Sequence, residues 1–85
     1  MADQQGEIVE NVVRYVAEAI VDDASSVEVE IVADGEDAVV AEVRTAKSDM
    51  GRVIGRRGRV ARAIRNVASA AGDEEGLAVD VEFLD

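Results

Sequence analysis

Apolar and polar residues alternate in three short segments of the chain, which is typical of β-strands with one buried face. The segments cover residues 26–32 (SVEVEIV), 38–45 (AVVAEVRT) and 77–84 (LAVDVEFL). An Asp-Gly pair within residues 34–37 is a hairpin signal, so the first two strands are predicted to be antiparallel neighbours. The pattern also predicts a solvated, acidic sheet face that carries Glu28, Glu30, Glu42, Asp80 and Glu82.

Helical spacing of apolar residues predicts an amphipathic helix over residues 6–23. A second, short helix is expected over about residues 49–54, capped by Ser48, and a third from about Arg59 to a stop signal at Gly72. The residues expected on the buried sides of the first and third helices are Val9, Val13, Val16, Ile20, Val60, Ile64, Val67, Ala68 and Ala71.

The resulting order, α-β-β-α-α-β, predicts an α+β fold in which helices cover one face of a three-stranded sheet. Because a two-helix crossover separates the second and third strands, right-handed parallel pairing of those strands is expected, with the second strand in the middle. A chain of 85 residues fits one domain. We therefore expect a single domain over residues 1–85, with an ordered core at about 7–84.

The composition excludes several kinds of chemistry. The chain has neither cysteine nor histidine, which excludes disulfides, thiolate and imidazole catalysis and the usual zinc sites. A phosphate-binding G-x-x-x-x-G-K-[ST] motif is missing from the sequence as well. No apolar run reaches the roughly 18 residues of a membrane helix, and the acidic N-terminus does not resemble a secretory signal. The expectation is a cytoplasmic protein that is not an enzyme, uses no cofactor and does not enter a membrane.

Positive charge is concentrated in one segment of an otherwise acidic chain. The formal net charge is −10, from 19 acidic and 9 basic residues. Six arginines nevertheless occur between residues 52 and 65 without an acidic residue among them, and we call them the arginine strip: Arg52, Arg56, Arg57, Arg59, Arg62 and Arg65. The acidic remainder repels nucleic acid, but a local strip of this kind can hold several phosphates.

Two glycines within the strip, Gly55 and Gly58, predict a tight turn between helices whose main chain a ligand can approach closely. The start of the following helix would offer free N–H groups to a phosphate, and the arginines would add charge-assisted hydrogen bonds. A simpler alternative is that the glycines only permit the turn. Arg62 and Arg65 can likewise be a solvated helix face, and Tyr15 and Phe83 are expected in the core or at its rim.

The segment VIGRRGRVARAIRNV, residues 53–67, resembles the centre of a KH domain, in which a GXXG loop between two helices clamps about four nucleotides of single-stranded RNA. The element order is similar to the type II KH arrangement. The resemblance covers nearly the whole chain and is closest to the small bacterial single-KH proteins of the KhpA-like family. By position, it implies that the RNA-binding residues are Arg52, Ile54, Gly55, Arg56, Arg57, Gly58, Arg59 and Arg62.

The resemblance implies RNA binding without catalysis, in post-transcriptional regulation, RNA chaperoning or the control of cell shape. It also implies a homodimer, or a heterodimer with a larger KH-domain RNA-binding protein. Two functions remain open at this point. The chain either binds single-stranded RNA itself, or it is a protein-interaction subunit whose partner supplies most of the RNA affinity.

Overall fold

The computed structural model describes residues 5–84, and for Arg56 and Arg57 it describes the main chain alone. Residues 1–4 and 85 of the predicted domain lie outside the described residues. The predicted α+β class and element order, those of a type II KH fold, are confirmed. The elements are α1 (Glu7–Ile20), a 3-10 helix (Ala24–Ser26), β1 (Glu28–Ala33), β2 (Ala38–Arg44), α2 (Lys47–Glu75) and β3 (Ala78–Leu84).

The three strands form a mixed sheet in the order β1-β2-β3. β1 and β2 are antiparallel, with Val29 opposite Val43, while β2 and β3 are parallel, with Val43 opposite Phe83. Both pairings are as predicted. The crossover that returns the chain from β2 to a parallel β3 is α2, and it lies with α1 over one face of the sheet.

The core lies between this sheet face and the two helices. Residues of odd number in each strand point towards the helices. The side chains that meet there are small and aliphatic. Buried members are Val9, Val13, Ala17, Val29, Ala41, Val43, Val53, Ile64, Ala68, Ala71 and Val81. On the opposite face the register sets Glu30, Glu42 and Glu82 side by side across all three strands. The predicted acidic face is therefore present.

Helix α2 is bent at Gly58, which has a φ of 70° in the left-handed region within an otherwise helical segment. A straight helix of 29 residues would be about 43 Å long, but the longest dimension of the molecule is 36 Å. We call residues 47–57 the first arm and residues 59–75 the second arm. They are the two predicted crossover helices.

Two carboxylates hold the ends of α2 against the ends of α1. Near the start of the first arm, Asp49 is 2% exposed and accepts hydrogen bonds from the main-chain N–H groups of Asp22 and Asp23, both at 3.1 Å. At the end of the second arm, Glu75 accepts from Gly6 N at 2.9 Å and Val9 N at 3.1 Å. Because α1 has only 14 residues, about 21 Å of helix, a straight α2 could not reach both ends.

Glu75 also supplies the N-terminal cap that α1 lacks in its own sequence. The N-cap residue is Gly6, which has no side chain to bind the free N–H groups of the first turn. The Glu75 carboxylate binds two of these groups and places negative charge at the positive end of the helix dipole. The contact between α1 and α2 is therefore partly a capping interaction.

Several predicted boundaries were wrong. The first arm does not stop at Ile54 but continues to the bend, and its N-cap is Ala46 rather than Ser48. The second arm runs through Gly72 and ends at Glu75, with Gly76, whose φ is 70°, as its C-cap. Gly72 is buried instead because the chain turns back at Gly76, where Leu77 N donates to the Gly72 carbonyl at 2.8 Å. An added Cβ would lie 2.6 Å from the Leu77 carbonyl oxygen and would overlap Val79 Cγ2.

Two side chains are more exposed than expected. Tyr15 was predicted in the core or at its rim but is 75% exposed on α1, and Val67 is exposed on the second arm rather than buried. In contrast, Phe83 is half-buried at the edge of the core, as expected.

The bend makes different demands on the two glycines of the turn. Replacing Gly58 with Ala forces a Cβ-bearing residue into the left-handed region, so the free energy of unfolding should fall by about 1–2 kcal/mol. Gly55 does not have a positive φ, and a Cβ added to it would meet no atom within 4 Å, so Gly55→Ala should be neutral or stabilise by up to about 1 kcal/mol. Urea titrations of both variants measure this difference. Equal effects would contradict a bend that depends on Gly58.

The close approach at Gly72 gives a second stability test. Gly72→Ala should destabilise the protein by about 1–3 kcal/mol, since the Leu77 main chain cannot move away without shifting β3. Gly51→Ala is the matched control, because Gly51 lies in the same helix with open space around it. Thermal melting should show a lower Tm for the first variant and an unchanged or higher Tm for the second. A fully stable Gly72→Ala protein would refute the packing argument.

Candidate nucleic-acid interface

The arginine strip belongs to α2 and occupies both sides of the bend. Arg52 is exposed on the first arm, and Arg59 and Arg62 are exposed on the second. Arg56 and Arg57 fall immediately before the bend, and their side chains lie outside the described part of the structure. Arginines of both arms therefore flank the bend.

An open cavity of about 620 Å³ lies beside the bend, and its described lining consists of Gly51, Arg52, Gly55 and Val60. At both Gly51 and Gly55, the position that a Cβ would occupy has no atom within 4 Å. A ligand can therefore approach the main chain at these two positions, which lie about one helical turn apart. Ile54, in the same turn, leaves 50% of its side chain exposed, which gives the surface an apolar contact beside the charged ones.

Arg52 is held by an acidic residue that lies far away in the sequence. Its Nη1 and Nη2 atoms donate to Oδ1 and Oδ2 of Asp22, each at 3.0 Å. The hydrogen bond from Arg52 lowers the pKa of the Asp22 carboxyl, and the same contact raises the pKa of Arg52. Sequence reasoning missed Asp22, because a loop acid that is thirty positions from its partner gives no local signal.

The loop that carries Asp22 is held to the first arm through its main chain as well. The buried Asp49 carboxylate accepts from the N–H groups of Asp22 and Asp23. Asp23 turns the other way, and hydrogen bonds from the Ser25 and Ser26 hydroxyls lower the pKa of its carboxyl. Of these two neighbouring acids, Asp22 contacts the strip, whereas the Asp23 carboxylate binds serines.

Arg65, the last residue of the strip, is turned towards the sheet. Its guanidinium lies 5.2 Å from the centre of the Phe83 ring, and its Nη2 donates to the Val81 carbonyl at 3.4 Å. An arginine over an aromatic face is a favourable cation–π contact. This geometry gives Arg65 a structural role at the β3 edge and accounts for its separation from the cavity beside the bend.

The open face of the sheet has the opposite charge. Glu28, Glu30, Glu42 and Arg44 line a cavity of about 270 Å³ on this face, and Asp80 and Glu82 continue the acidic surface onto β3. Like charges side by side favour cations or water and repel a polyanion. This face is therefore unfavourable for a phosphate-containing ligand.

Within residues 5–84, the acidic side chains do not form a group of three or more that could hold a metal ion. Nor does this part of the chain contain a helix of the length and apolarity needed to cross a membrane.

Comparison with known proteins identifies a family for this chain. A family model described as KhpA/KhpB, KH domain matches residues 10–83. A protein from Borreliella burgdorferi is 36% identical over 73 residues, 86% of this chain and 88% of its own length. Relatives from Clostridium acetobutylicum and Aquifex aeolicus are 42% and 37% identical, over 81% and 88% of this chain and 91% and 94% of their own lengths.

Each of these relatives is named RNA-binding protein KhpA, a name that describes a binding protein and not an enzyme. The family model extends from α1 to β3, well beyond the glycines that suggested the resemblance, and the relatives cover 81% or more of the chain. The resemblance is thereby confirmed, and the chain belongs to the KhpA/KhpB KH-domain family.

Proposed function

We propose that this chain is a single KH domain that binds single-stranded RNA by its phosphate backbone at the bend of α2. The observation that carries the proposal is the coincidence, at one place on a chain of net charge −10, of exposed arginines, a cavity of about 620 Å³ and open main chain. The names of the relatives support RNA as the ligand.

The residues around the bend have different roles in the proposed RNA binding. Gly58 permits the bend through its positive φ, while Gly55 keeps the main chain open to a phosphate. Arg52, Arg56, Arg57, Arg59 and Arg62 supply positive charge and hydrogen bonds for phosphate oxygens. Ile54, half exposed beside them, contacts a sugar or base. In this proposal RNA affinity depends on phosphate contacts more than on base identity.

The aromatic residues support weak base selectivity. Stacking on exposed aromatic side chains is a major source of affinity for single strands. Here Tyr15 lies on α1 and Phe83 is covered by Arg65, so neither lines the described part of the cavity. We therefore propose modest affinity and a broad choice of RNA, as suits a cytoplasmic RNA chaperone or post-transcriptional regulator with effects on cell shape.

The proposal includes dimerisation, either with a second copy of this chain or with a larger KH-domain RNA-binding protein. The alternative in which such a partner supplies most of the RNA affinity is favoured by the net charge and by the acid that already occupies Arg52. The name of the family model, KhpA/KhpB, supports a second KH protein as the partner.

The edges of the sheet are poor surfaces for this association. In each edge strand, main-chain groups of alternate residues face β2 and those of the residues between them face outward. Hydrogen bonds from Asp34 N to Ala38 O and from Ala78 N to Asp37 O fix this alternation. The main-chain groups of Val29 in β1 and Val81 in β3 therefore face outward. Arg14 donates to the Val29 carbonyl at 3.3 Å, and Arg65 to the Val81 carbonyl. An added strand would have to displace an arginine at either edge, so we propose contact through the helices.

The binding mechanism predicts how RNA affinity responds to salt. If four or five arginines each meet a phosphate, the logarithm of the affinity for a short single-stranded RNA should fall with the logarithm of salt concentration at a slope of about −3. Arg56→Gln/Arg57→Gln removes two contacts, so the affinity should fall and the slope should become about −1.5. Fluorescence anisotropy titrations at several salt concentrations measure both quantities.

The control is Arg14→Gln/Arg44→Gln, which removes the same charge away from the bend. It should change the affinity slightly and leave the slope near the wild-type value. Equal effects of the two double variants would mean that net charge, and not the strip, governs binding. Gly55→Ala adds an independent check, because a methyl group there should weaken RNA binding in a protein that is fully folded.

The association proposal is tested by light scattering of the chain alone and mixed with a larger KH-domain protein of the same organism. A dimer mass is expected in at least one of the two samples, with new hydrogen-exchange protection in α1 or α2. A monomer at high concentration together with no complex would contradict association. New protection confined to β1 or β3 amides would contradict the helical surface.

A further inference from the structure

We propose that Asp22 limits the RNA affinity of this domain by competing with RNA phosphate for Arg52. The proposal rests on the function proposed above, since it concerns one of the arginines assigned there to RNA. Its observation is separate: a carboxylate from the loop after α1 occupies both terminal nitrogens of Arg52, at 3.0 Å each, at the wall of the cavity beside the bend.

Asp22 binds Arg52 with the same geometry that a phosphate group would use. A carboxylate and a phosphate both present two oxygens to the fork of a guanidinium, and paired contacts of this kind are the strongest that arginine makes. Arg52 is 49% exposed and Asp22 is 77% exposed, so water and RNA can reach the pair. Because the pair is exposed to water, its net contribution to stability is small, and a phosphate can displace the carboxylate.

Asp22 is kept beside Arg52 by its main chain. Its N–H group donates to the Asp49 carboxylate, which is buried in the first turn of the helix that carries Arg52. Both partners of the pair are therefore attached to the same arm of α2. Displacement by a phosphate would move the Asp22 side chain only, so the negative charge would remain near the bound RNA.

The Asp22 carboxylate would repel a phosphate that binds Arg52, which makes it a competitor of RNA and not only a residue that orients Arg52. Together Asp22 and Arg52 are neutral, and a phosphate that reaches Arg52 stays within a few ångströms of the carboxylate, well inside the screening length of about 10 Å at 0.1 M salt. Arg52 also lowers the pKa of Asp22, so the carboxylate is ionised at neutral pH. Its repulsion of RNA is thus present under all ordinary binding conditions.

The test compares Asp22→Asn with Asp23→Asn. Both variants remove one negative charge from the same loop, but the Asp23 carboxylate binds the Ser25 and Ser26 hydroxyls instead of an arginine. At about 0.1 M salt, Asp22→Asn should bind a short single-stranded RNA about two- to five-fold more tightly than Asp23→Asn does. Its salt slope should be steeper by about 0.7, the value for one phosphate contact, because Asp22 no longer neutralises the charge of Arg52 at the bound phosphate.

A second pair of variants shows whether Arg52 carries the gain. When Arg52→Gln is present in both, the advantage of Asp22→Asn over Asp23→Asn should disappear. Equal affinities in the original pair would overturn the proposal, and weaker binding by Asp22→Asn would show that Asp22 instead orients Arg52 for RNA. Thermal melting of each variant ensures that only folded proteins are compared, and Asp22→Ser replaces Asp22→Asn if that variant melts early.

Failure of this inference can be separated from failure of the RNA-binding proposal. If Arg56→Gln/Arg57→Gln weakens binding while the Asp22 and Asp23 variants are alike, the glycine turn binds RNA and Asp22 has no special part. If Arg56→Gln/Arg57→Gln binds RNA like the wild type, the site itself is wrong.

Discussion

The attachment of α2 to both ends of α1 is the constraint on which the rest of the structure depends. Asp49 binds the loop after α1 and Glu75 binds its first turn, so the long helix has to fold back within the length of a much shorter one. Only a residue that tolerates positive φ can provide the bend, and Gly58 does so. The open turn is thus a consequence of how the helices are held together.

The arginines of the strip do not all have the same task. Arg65 packs on Phe83 and the β3 edge, and Arg52 is paired with Asp22, whereas Arg59 and Arg62 are exposed on the second arm. A count of positive residues therefore overstates the charge that a ligand meets. The structure divides one run of arginines into those that support the domain and those that are open to phosphate.

The period-two pattern was enough to predict the three strands and their buried faces, because that pattern reflects burial that is local in sequence. The parallel return followed instead from the length of the crossover between the second and third strands. Gly58 marks the bend as predicted, but Gly55 lies within the helical first arm, so the turn predicted over residues 55–58 is a bend at Gly58 alone. The Asp22–Arg52 pair and the capping of α1 by Glu75 could not be predicted, since each joins side chains whose meeting depends on the finished fold. The end of α2 was misplaced because Gly72 serves close packing, a use of glycine that looks like a stop signal in a single sequence.

The net charge of −10 is a weaker argument against RNA binding than it first suggests. At about 0.1 M salt, charges more than about 10 Å apart are largely screened from each other, and even the shortest dimension of this molecule is 19 Å. The glutamates on the open side of the sheet point away from the helices, so they direct RNA to the other side without strongly opposing it there. Acids within a few ångströms of the strip act much more strongly, because they lie well inside the screening length. RNA affinity in this domain should therefore depend on the few carboxylates beside the bend, and the total number of acidic residues should matter little.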